Sequence, residues 1–327
     1  MAQMHMVAAL NRALDEALRL DDHVVLLGQD IGVDEGVFRV TADLLKRYGE
    51  NRVMDTPLAE AAIVGGAIGL ALYGLRPVAE IQFSGFDYQA FHQVEEHLSR
   101  FRNRTRGRFG LPVVVRMPCG GGIRAVEHHS ESREAIYAHT PGLRVVMPST
   151  PRNARALLLQ SVLREADPVI FFEPKMIYRA FREEVPDEPE YMPLGKARVV
   201  REGGDVTLIT YGSMLRITQE AAELLEETDH VSAEVVDLLT VAPIDSETIV
   251  ESVKKTGRAV VIHEGPRRCG IGAEVVARIV EKAFFHLHAP IRRVTGFDTQ
   301  FPYFARERAY MPNPNRIAHA VKEVLAA

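Results

Sequence analysis

The sequence contains very little cysteine. Cys119 and Cys269 are the only two cysteines among 327 residues, and they lie far apart in the chain. Secreted domains that depend on disulfides are rich in cysteine, so this composition excludes that class. It is typical of a protein from a reducing compartment.

Long hydrophobic runs are also lacking. The longest apolar run, residues 61–73, is shorter than the roughly 20 residues that a helix needs to cross a bilayer. Residues 1–20 have helical periodicity but contain Asp15 and Glu16, which argues against a signal or transit peptide. We therefore expect a cytoplasmic protein that does not bind a membrane.

No large excess of charge of either sign is present. The formal net charge is −5, which gives no electrostatic basis for binding nucleic acid or an anionic membrane. A basic run at residues 100–108 has arginine at every second position but little aromatic interleaving. This pattern favours a solvated or interface surface, and we predict no nucleic-acid partner.

The length and the apolar pattern predict two α/β domains. A chain of 327 residues has room for domains of roughly 100 to 200 residues each. Buried-strand patterns alternate with helical patterns in both halves, which predicts two doubly wound domains with mostly parallel sheets. We expect the domains at residues 1–175 and 194–327, with a proline-rich linker at 176–193.

Residues 52–74, RVMDTPLAEAAIVGGAIGLALYG, set one carboxylate at the head of an almost wholly apolar helix. Thr56 is the expected N-cap, with Pro57 at the first helical position. A helix that is apolar on all sides is buried in a core or against a partner, so Glu60 is expected near a protein interior. The alternative is an acidic residue matched to the helix dipole. Glycines in the helix permit close packing of another backbone, at Gly65, Gly66 and Gly69.

The stretch DTPLAEAAIVGGAIGLALYGLRPVAEIQF resembles the signature of the beta subunits of the decarboxylating first component of 2-oxo acid dehydrogenase complexes. These proteins are a transketolase-like thiamine diphosphate family. The resemblance continues in order through LGQDIG, HHSES, PGLRVVMPSTP, KKTGRAVVIHE and VTGFDTQFPY, and so covers nearly the whole chain. It implies a transketolase pyrimidine-binding domain at 1–175 and a transketolase C-terminal-like domain at 194–327.

The resemblance assigns roles around the cofactor. It implies that Glu60 is catalytic, faces the aminopyrimidine ring and favours its imino tautomer. It also implies that Leu58, Gln82 and Phe86 bind the cofactor, with Phe86 stacked on the pyrimidine. Core packing is the alternative for Phe86.

The resemblance also assigns a histidine. The active-site histidine of the family directly precedes serine, which places that role on His129 in HHSES. It would assist acyl transfer to a lipoyl arm. His128, one residue earlier, is an alternative. A purely structural role for His129 at the start of the next helix is another.

A missing motif points to a partner. Thiamine enzymes bind the diphosphate through Mg²⁺ at a Gly-Asp-Gly motif, and the chain contains none. The resemblance therefore implies an alpha subunit that holds most of the Mg²⁺ site, in an alpha2beta2 tetramer, and a lipoyl-bearing acyltransferase as second component. No metal ligand is assigned in this chain. The turn LREADP, with Glu165 and Asp167, resembles a structural potassium loop of the family but is one residue longer.

The implied activity is oxidative decarboxylation of a 2-oxo acid, active only with the alpha subunit. Pyruvate is the predicted substrate, and branched-chain 2-oxo acids agree with the sequence nearly as well. An acetoin dehydrogenase beta subunit is an alternative within the same chemistry. A non-catalytic assembly subunit is an alternative of another class, for which Glu60 and His129 would be unnecessary.

Overall fold

The computed structural model describes residues 1–327 and divides into two compact units. The first unit consists of Met1–Cys119 and Ile136–Leu194. The second consists of Gly120–Ala135 and Gly195–Ala327. Residues 120–135 therefore belong to the second unit, although the chain on either side of them belongs to the first.

The central strands of the first unit are buried along most of their length, and most of their residues are apolar. The strands are β1 (Ala2–Met4), β2 (Val24–Gln29), β3 (Val53–Thr56), β4 (Arg76–Glu80), β5 (Val114–Cys119), β6 (Arg144–Val146), β7 (Val169–Pro174) and β8 (Glu183–Val185). The helices are α1 (Met6–Leu20), α2 (Leu44–Tyr48), α3 (Glu60–Leu72), α4 (Tyr88–His92), α5 (Phe101–Arg104), α6 (Glu134–Ala138) and α7 (Pro151–Leu163). Single turns of 3-10 helix lie at Ser84–Phe86 and Lys175–Ile177, and a π-helical turn lies at Gln93–Leu98.

Six of these strands form a parallel sheet in the order β6-β7-β5-β4-β2-β3. The chain passes from β2 to β3 on one side and then returns to β4 on the other side of β2. Ligands of open α/β sheets bind at the carboxyl ends of the strands where the order reverses in this way. The carboxyl ends of β2 and β4 are therefore the expected site in this unit. Strands β1 and β8 form a separate antiparallel pair.

The second unit repeats the arrangement. Its strands are β9 (Arg198–Arg201), β10 (Val206–Thr210), β11 (Ala233–Asp237), β12 (Thr240–Ala242), β13 (Ala259–Ile262) and β14 (Arg292–Val294). Its helices are α8 (Met214–Asp229), α9 (Ser246–Thr256), α10 (Ile271–Ala283), α11 (Glu307–Tyr310) and α12 (Pro314–Leu325), with 3-10 turns at Glu127–His129 and Phe284–His286. The sheet order is β14-β13-β10-β11-β9, parallel except for β9. Its order reverses between β10 and β13.

The predicted fold class is confirmed: both units are doubly wound and their sheets are mostly parallel. Helix α4 continues directly into the π-helical turn Gln93–Leu98. None of the helices is long and apolar enough to cross a membrane.

The predicted start of the helix that carries Glu60 is wrong. Thr56 lies opposite Gln29 in the parallel ladder between β2 and β3, so hydrogen bonding to β2 keeps it extended. Helix α3 begins only at Glu60, with Ala59 as an N-cap that makes no side-chain capping bond. Thr56 is therefore not the N-cap, and Pro57 is not the first helical residue.

Candidate active site

Glu60 is the first residue of α3 and is almost completely buried. Only 2% of it is exposed, and its Oε2 atom has no hydrogen-bond partner in the protein. An unpartnered buried polar atom costs about 1–3 kcal/mol, and native structures contain few of them. Oε2 can therefore accept a hydrogen bond from, or donate one to, a group that the chain itself does not supply.

Gln82 and Asp30 meet where the order of the first sheet reverses. Asp30 directly follows β2, and Gln82 lies two residues after the end of β4. The Gln82 Nε2 atom donates to Asp30 Oδ2 over 3.0 Å. This contact joins the carboxyl ends of the two strands at which a ligand is expected.

The loop after β2 is fastened to the same edge by Asp55 of β3. Its carboxylate accepts from the backbone N–H of Gly32 at 2.6 Å and of Val33 at 2.9 Å. A side chain on Gly32 would overlap that carboxylate. The neighbouring strand therefore fixes the backbone of this part of the edge.

A buried ion pair supports the strand that leads to Gln82. Arg116 of β5, 1% exposed, binds both carboxylate oxygens of Glu173 on β7, at 2.6 and 2.7 Å. Arg116 also contacts Glu80 at the end of β4. Burial raises the pKa of Glu80, and the charge of Arg116 opposes that rise. The network ties β4, β5 and β7 together beneath the carboxyl edge.

Phe86 and Leu58 are the remaining predicted cofactor contacts. Phe86 ends the 3-10 turn Ser84–Phe86, is half-buried, and meets Phe83 edge to face with ring centroids 5.8 Å apart. Leu58 lies between β3 and α3 and is 59% exposed. Each offers apolar surface to a flat or apolar ligand group.

His129 belongs to the second unit. It ends the 3-10 turn Glu127–His129, is half-buried, and has its ring 4.4 Å from that of His128. The side chain of His128 is 44% exposed, and its Nδ1 atom lies 3.6 Å from a Glu127 oxygen. The structure thus assigns Glu60, Leu58, Gln82 and Phe86 to one unit and His129 to the other.

The carboxylates of the LREADP turn both contact arginines. Glu165 Oε2 lies 3.1 Å from Arg144 Nε, and Asp167 pairs with Arg102. Neither side chain is therefore free to bind a cation unless it first leaves its arginine.

Sequence reasoning missed Glu264. This residue follows β13 at the reversal point of the second sheet and is 8% exposed. The available signal was its place two residues after the end of a buried strand, in VIHEG. Its contacts come from distant parts of the chain, which no local pattern could predict.

Two family models together match nearly the whole chain. Residues 2–180 match the transketolase pyrimidine binding domain, and residues 195–317 match the transketolase C-terminal domain. These matches agree with the two doubly wound units described above.

Full-length relatives agree with these domain matches. The chain is 48% identical over 327 residues to the pyruvate dehydrogenase E1 component subunit beta of Acholeplasma laidlawii, which covers 100% of this chain and 99% of the relative. It is 49% identical over 325 residues to the protein of the same name from Staphylococcus aureus strain Mu50, with 99% of each chain covered. A solved structure described as a split gene transketolase, an inactive beta4 tetramer, superposes with a TM-score of 0.80 and 23% identity over 99% of both chains. At that identity the superposition supports the fold alone.

Proposed function

The chain belongs to the family of pyruvate dehydrogenase E1 component beta subunits, built from the pyrimidine-binding and C-terminal domains of transketolase, and we propose that it acts in a thiamine diphosphate-dependent 2-oxo acid dehydrogenase. The overall reaction is oxidative decarboxylation of a 2-oxo acid: carbon dioxide leaves, and the disulfide of a lipoyl group of the second component oxidises the remaining group and takes it up as an acyl group. In this proposal residues 1–175 hold the pyrimidine half of the cofactor, 176–193 link the domains, and 194–327 form the C-terminal domain.

The observation that carries the proposal is the buried, unpartnered oxygen of Glu60. When bound, thiamine diphosphate supplies the nucleophilic carbon and the electron sink for loss of carbon dioxide. Glu60 would hold a proton between its Oε2 atom and the facing ring nitrogen of the pyrimidine. A carboxylate shielded from water can share a proton in this way, because water does not compete for it.

The other residues of the first unit would hold and orient the pyrimidine. Phe86 offers an aromatic face, Leu58 an apolar contact, and Gln82 a polar group fixed by Asp30. His129 would exchange a proton with the lipoyl group as its ring opens, since an imidazole can do so near neutral pH.

We propose an alpha subunit as partner because α3 has an exposed apolar side. Ala62, Gly66 and Gly69 recur on this side at helical spacing and are all exposed. Tyr73, the residue that caps the end of the helix, is 87% exposed. Small residues at this spacing allow another backbone to approach closely. The helix that carries Glu60 would then contact the subunit that supplies the Gly-Asp-Gly half of the site.

Pyruvate is the proposed substrate, because the relatives described above are named pyruvate dehydrogenase subunits. An assay of the assembled enzyme on pyruvate, branched-chain 2-oxo acids and acetoin would test this choice. Faster turnover of branched-chain acids or acetoin would contradict it.

The role of Glu60 predicts that Glu60→Gln leaves the tetramer assembled but removes most decarboxylation. An amide cannot exchange the proton, and loss of a general acid or base costs about 10²- to 10⁴-fold in rate. Decarboxylation can be followed with an artificial electron acceptor, with the exposed Glu50→Gln as matched control. Activity of the Glu60 variant equal to that of the control would reassign Glu60 to the helix-dipole role.

The split site predicts that the isolated chain binds thiamine diphosphate and Mg²⁺ only weakly. Titration calorimetry should detect tight binding only after an alpha subunit is added. Micromolar binding by this chain alone would contradict the shared site.

A further inference from the structure

Residues 120–135 form a closed loop whose two ends meet. The backbone N–H of Gly120 donates to the carbonyl of Glu131 over 3.0 Å. Gly120 has a φ of +77°, and a side chain there would overlap the carboxylate of Glu264. A side chain on Gly121 would overlap the ring of Phe301. The glycine run of the sequence is therefore required where the loop meets the rest of the second unit.

Glu264 binds both ends of this loop. Its Oε1 atom accepts from the backbone N–H of Gly121 and from the Ser132 hydroxyl, each at 2.9 Å. Its Oε2 atom accepts from Ser213 Oγ at 2.5 Å. Hydrogen bonds to an ionised acceptor are about twice as strong as neutral ones. One buried carboxylate thus holds the start and the end of the loop on the sheet.

The contact between Glu264 and the loop lies at the reversal point of the second sheet. Ser213 follows β10 and Glu264 follows β13, and these neighbouring parallel strands flank the point where the order reverses. A ligand is expected at such a point. In this unit the loop 120–135 occupies it, so the chain itself takes the place of the ligand.

Two further carboxylates fasten the loop along its length. The backbone N–H of Arg124 donates to Glu307 Oε2 over 3.1 Å, and Tyr211 Oη donates to Glu134 Oε1 over 2.9 Å. Between these contacts lies the turn Glu127–His129. The backbone that carries His129 is therefore held from both sides.

We propose that Glu264 is a positioning residue, which fixes the loop 120–135 so that its turn presents His129 for acyl transfer. The inference rests on the proposed role of His129. The Glu264 carboxylate accepts hydrogen bonds from Gly121, Ser132 and Ser213. In Glu264→Gln a neutral amide replaces the carboxylate, so the hydrogen bonds with these three donors weaken and the loop loosens.

The test is a double-mutant cycle in the enzyme reconstituted with its alpha subunit. It compares wild type, Glu264→Gln, His129→Ala and the double variant, with the exposed Glu274→Gln as matched control. We expect Glu264→Gln to slow reductive acylation of a free lipoyl domain about 10- to 100-fold. Decarboxylation with an artificial acceptor should change much less. In the His129→Ala background the same substitution should add little, because both changes act through one imidazole. Additive losses would overturn the proposal.

Hydrogen exchange gives a readout independent of activity. Glu264→Gln should increase amide exchange within residues 120–135, whereas Glu274→Gln should not. Unchanged exchange in this loop would overturn the positioning role. If His129→Ala alone leaves acyl transfer intact, the proposed role of His129 fails, and the claim that Glu264 orients it for transfer fails with it. Should Glu264→Gln not assemble, Ser132→Ala removes a single donor and enters the same cycle.

Discussion

At the scale of single residues, Glu134 shows what burial does to a carboxyl group. It is 2% exposed and receives one hydrogen bond from Tyr211. Burial raises the pKa of Glu134 to about 7, and the charge of Glu264 adds to the rise, while hydrogen bonds from its own backbone and from Tyr211 oppose it. Near neutral pH this group is therefore about half protonated.

His263 in the same unit has the opposite response to pH. It is 1% exposed, and burial, followed by the charge of Arg293, lowers its pKa to about 4. The folded state keeps it neutral while the unfolded chain binds a proton below pH 6.5. Its contribution to the free energy of unfolding is therefore lost as the pH falls from 6.5 to 4.

These two groups predict the pH dependence of stability. Between pH 4.5 and about 7 the Glu134 carboxyl group is protonated in the folded state but ionised in the unfolded chain. The free energy of unfolding therefore falls as pH rises, by roughly 3 kcal/mol across this range. Below pH 6.5 His263 largely offsets this fall. The stability of Glu134→Gln should therefore rise with pH up to 6.5 and then stay constant. The stability of the wild type should change less up to pH 6.5 and then decrease.

Thermal unfolding midpoints across this pH range would test the prediction. The exposed Glu227→Gln is the matched control, since it removes a carboxylate of the same unit from the surface. Parallel curves for wild type, the control and Glu134→Gln would contradict the raised pKa of Glu134.

At the scale of elements, two threonines that precede helices have different roles. Thr150 caps α7 in a reciprocal capping box: its side chain accepts from the Asn153 N–H, and the Asn153 side chain accepts from the Thr150 N–H. Thr56 ends a strand, and its buried hydroxyl oxygen has no hydrogen-bond partner. Only the first threonine stabilises a helix terminus.

The structure therefore predicts unequal costs for the same substitution. Thr150→Val should lower the free energy of unfolding by about 1 kcal/mol, because the cap is lost. Thr56→Val should be neutral or stabilising, because it removes a buried hydroxyl that makes no bond. Denaturant titration of the cofactor-free chain would measure both. Equal losses would contradict the assignment of the two termini.

The core elements could be predicted from the sequence, whereas the short edge strands could not. Strands such as β5 and β10 are buried along their whole length, so they appear as continuous apolar runs. Strand β9 is partly exposed, and its sequence RVVR has no such run. Thr56 was misassigned because its place is set by pairing with β2, which overrides its preference for a helix N-cap.

The candidate site could be predicted only in part, for a related reason. Gln82 follows a clear strand pattern, and the ordered motifs of the family indicated Glu60 and His129. The contacts of Glu264 with Gly121 and Ser132 span 143 and 132 positions of the chain. Contacts between residues so far apart in the sequence depend on sheet topology, which short sequence patterns do not reveal.

At the scale of the whole molecule, the exposed side of α3 makes a prediction about assembly. A Cβ at Gly69 would meet nothing within 4 Å in this chain. Gly69→Leu should therefore stabilise the isolated chain by up to about 1 kcal/mol through helix propensity. It should also weaken association with an alpha subunit, since an added side chain in a packed interface costs about 1–3 kcal/mol.

Sedimentation with increasing alpha subunit would measure the association, and thermal unfolding the stability of the chain alone. Ala277→Leu, exposed on α10, is the matched control. If both variants assemble as tightly as wild type, this side of α3 does not face the partner.

The path of the chain limits how the protein can be divided. The backbone changes unit after Cys119, after Ala135 and after Leu194. A fragment that ends near residue 194 would retain His129 but lose Glu264 and Glu307, whose carboxylates bind the loop around it. Dividing the protein between its two domains therefore separates this loop from the carboxylates that bind it. Domain exchange between relatives would have to keep residues 120–135 matched to the C-terminal half.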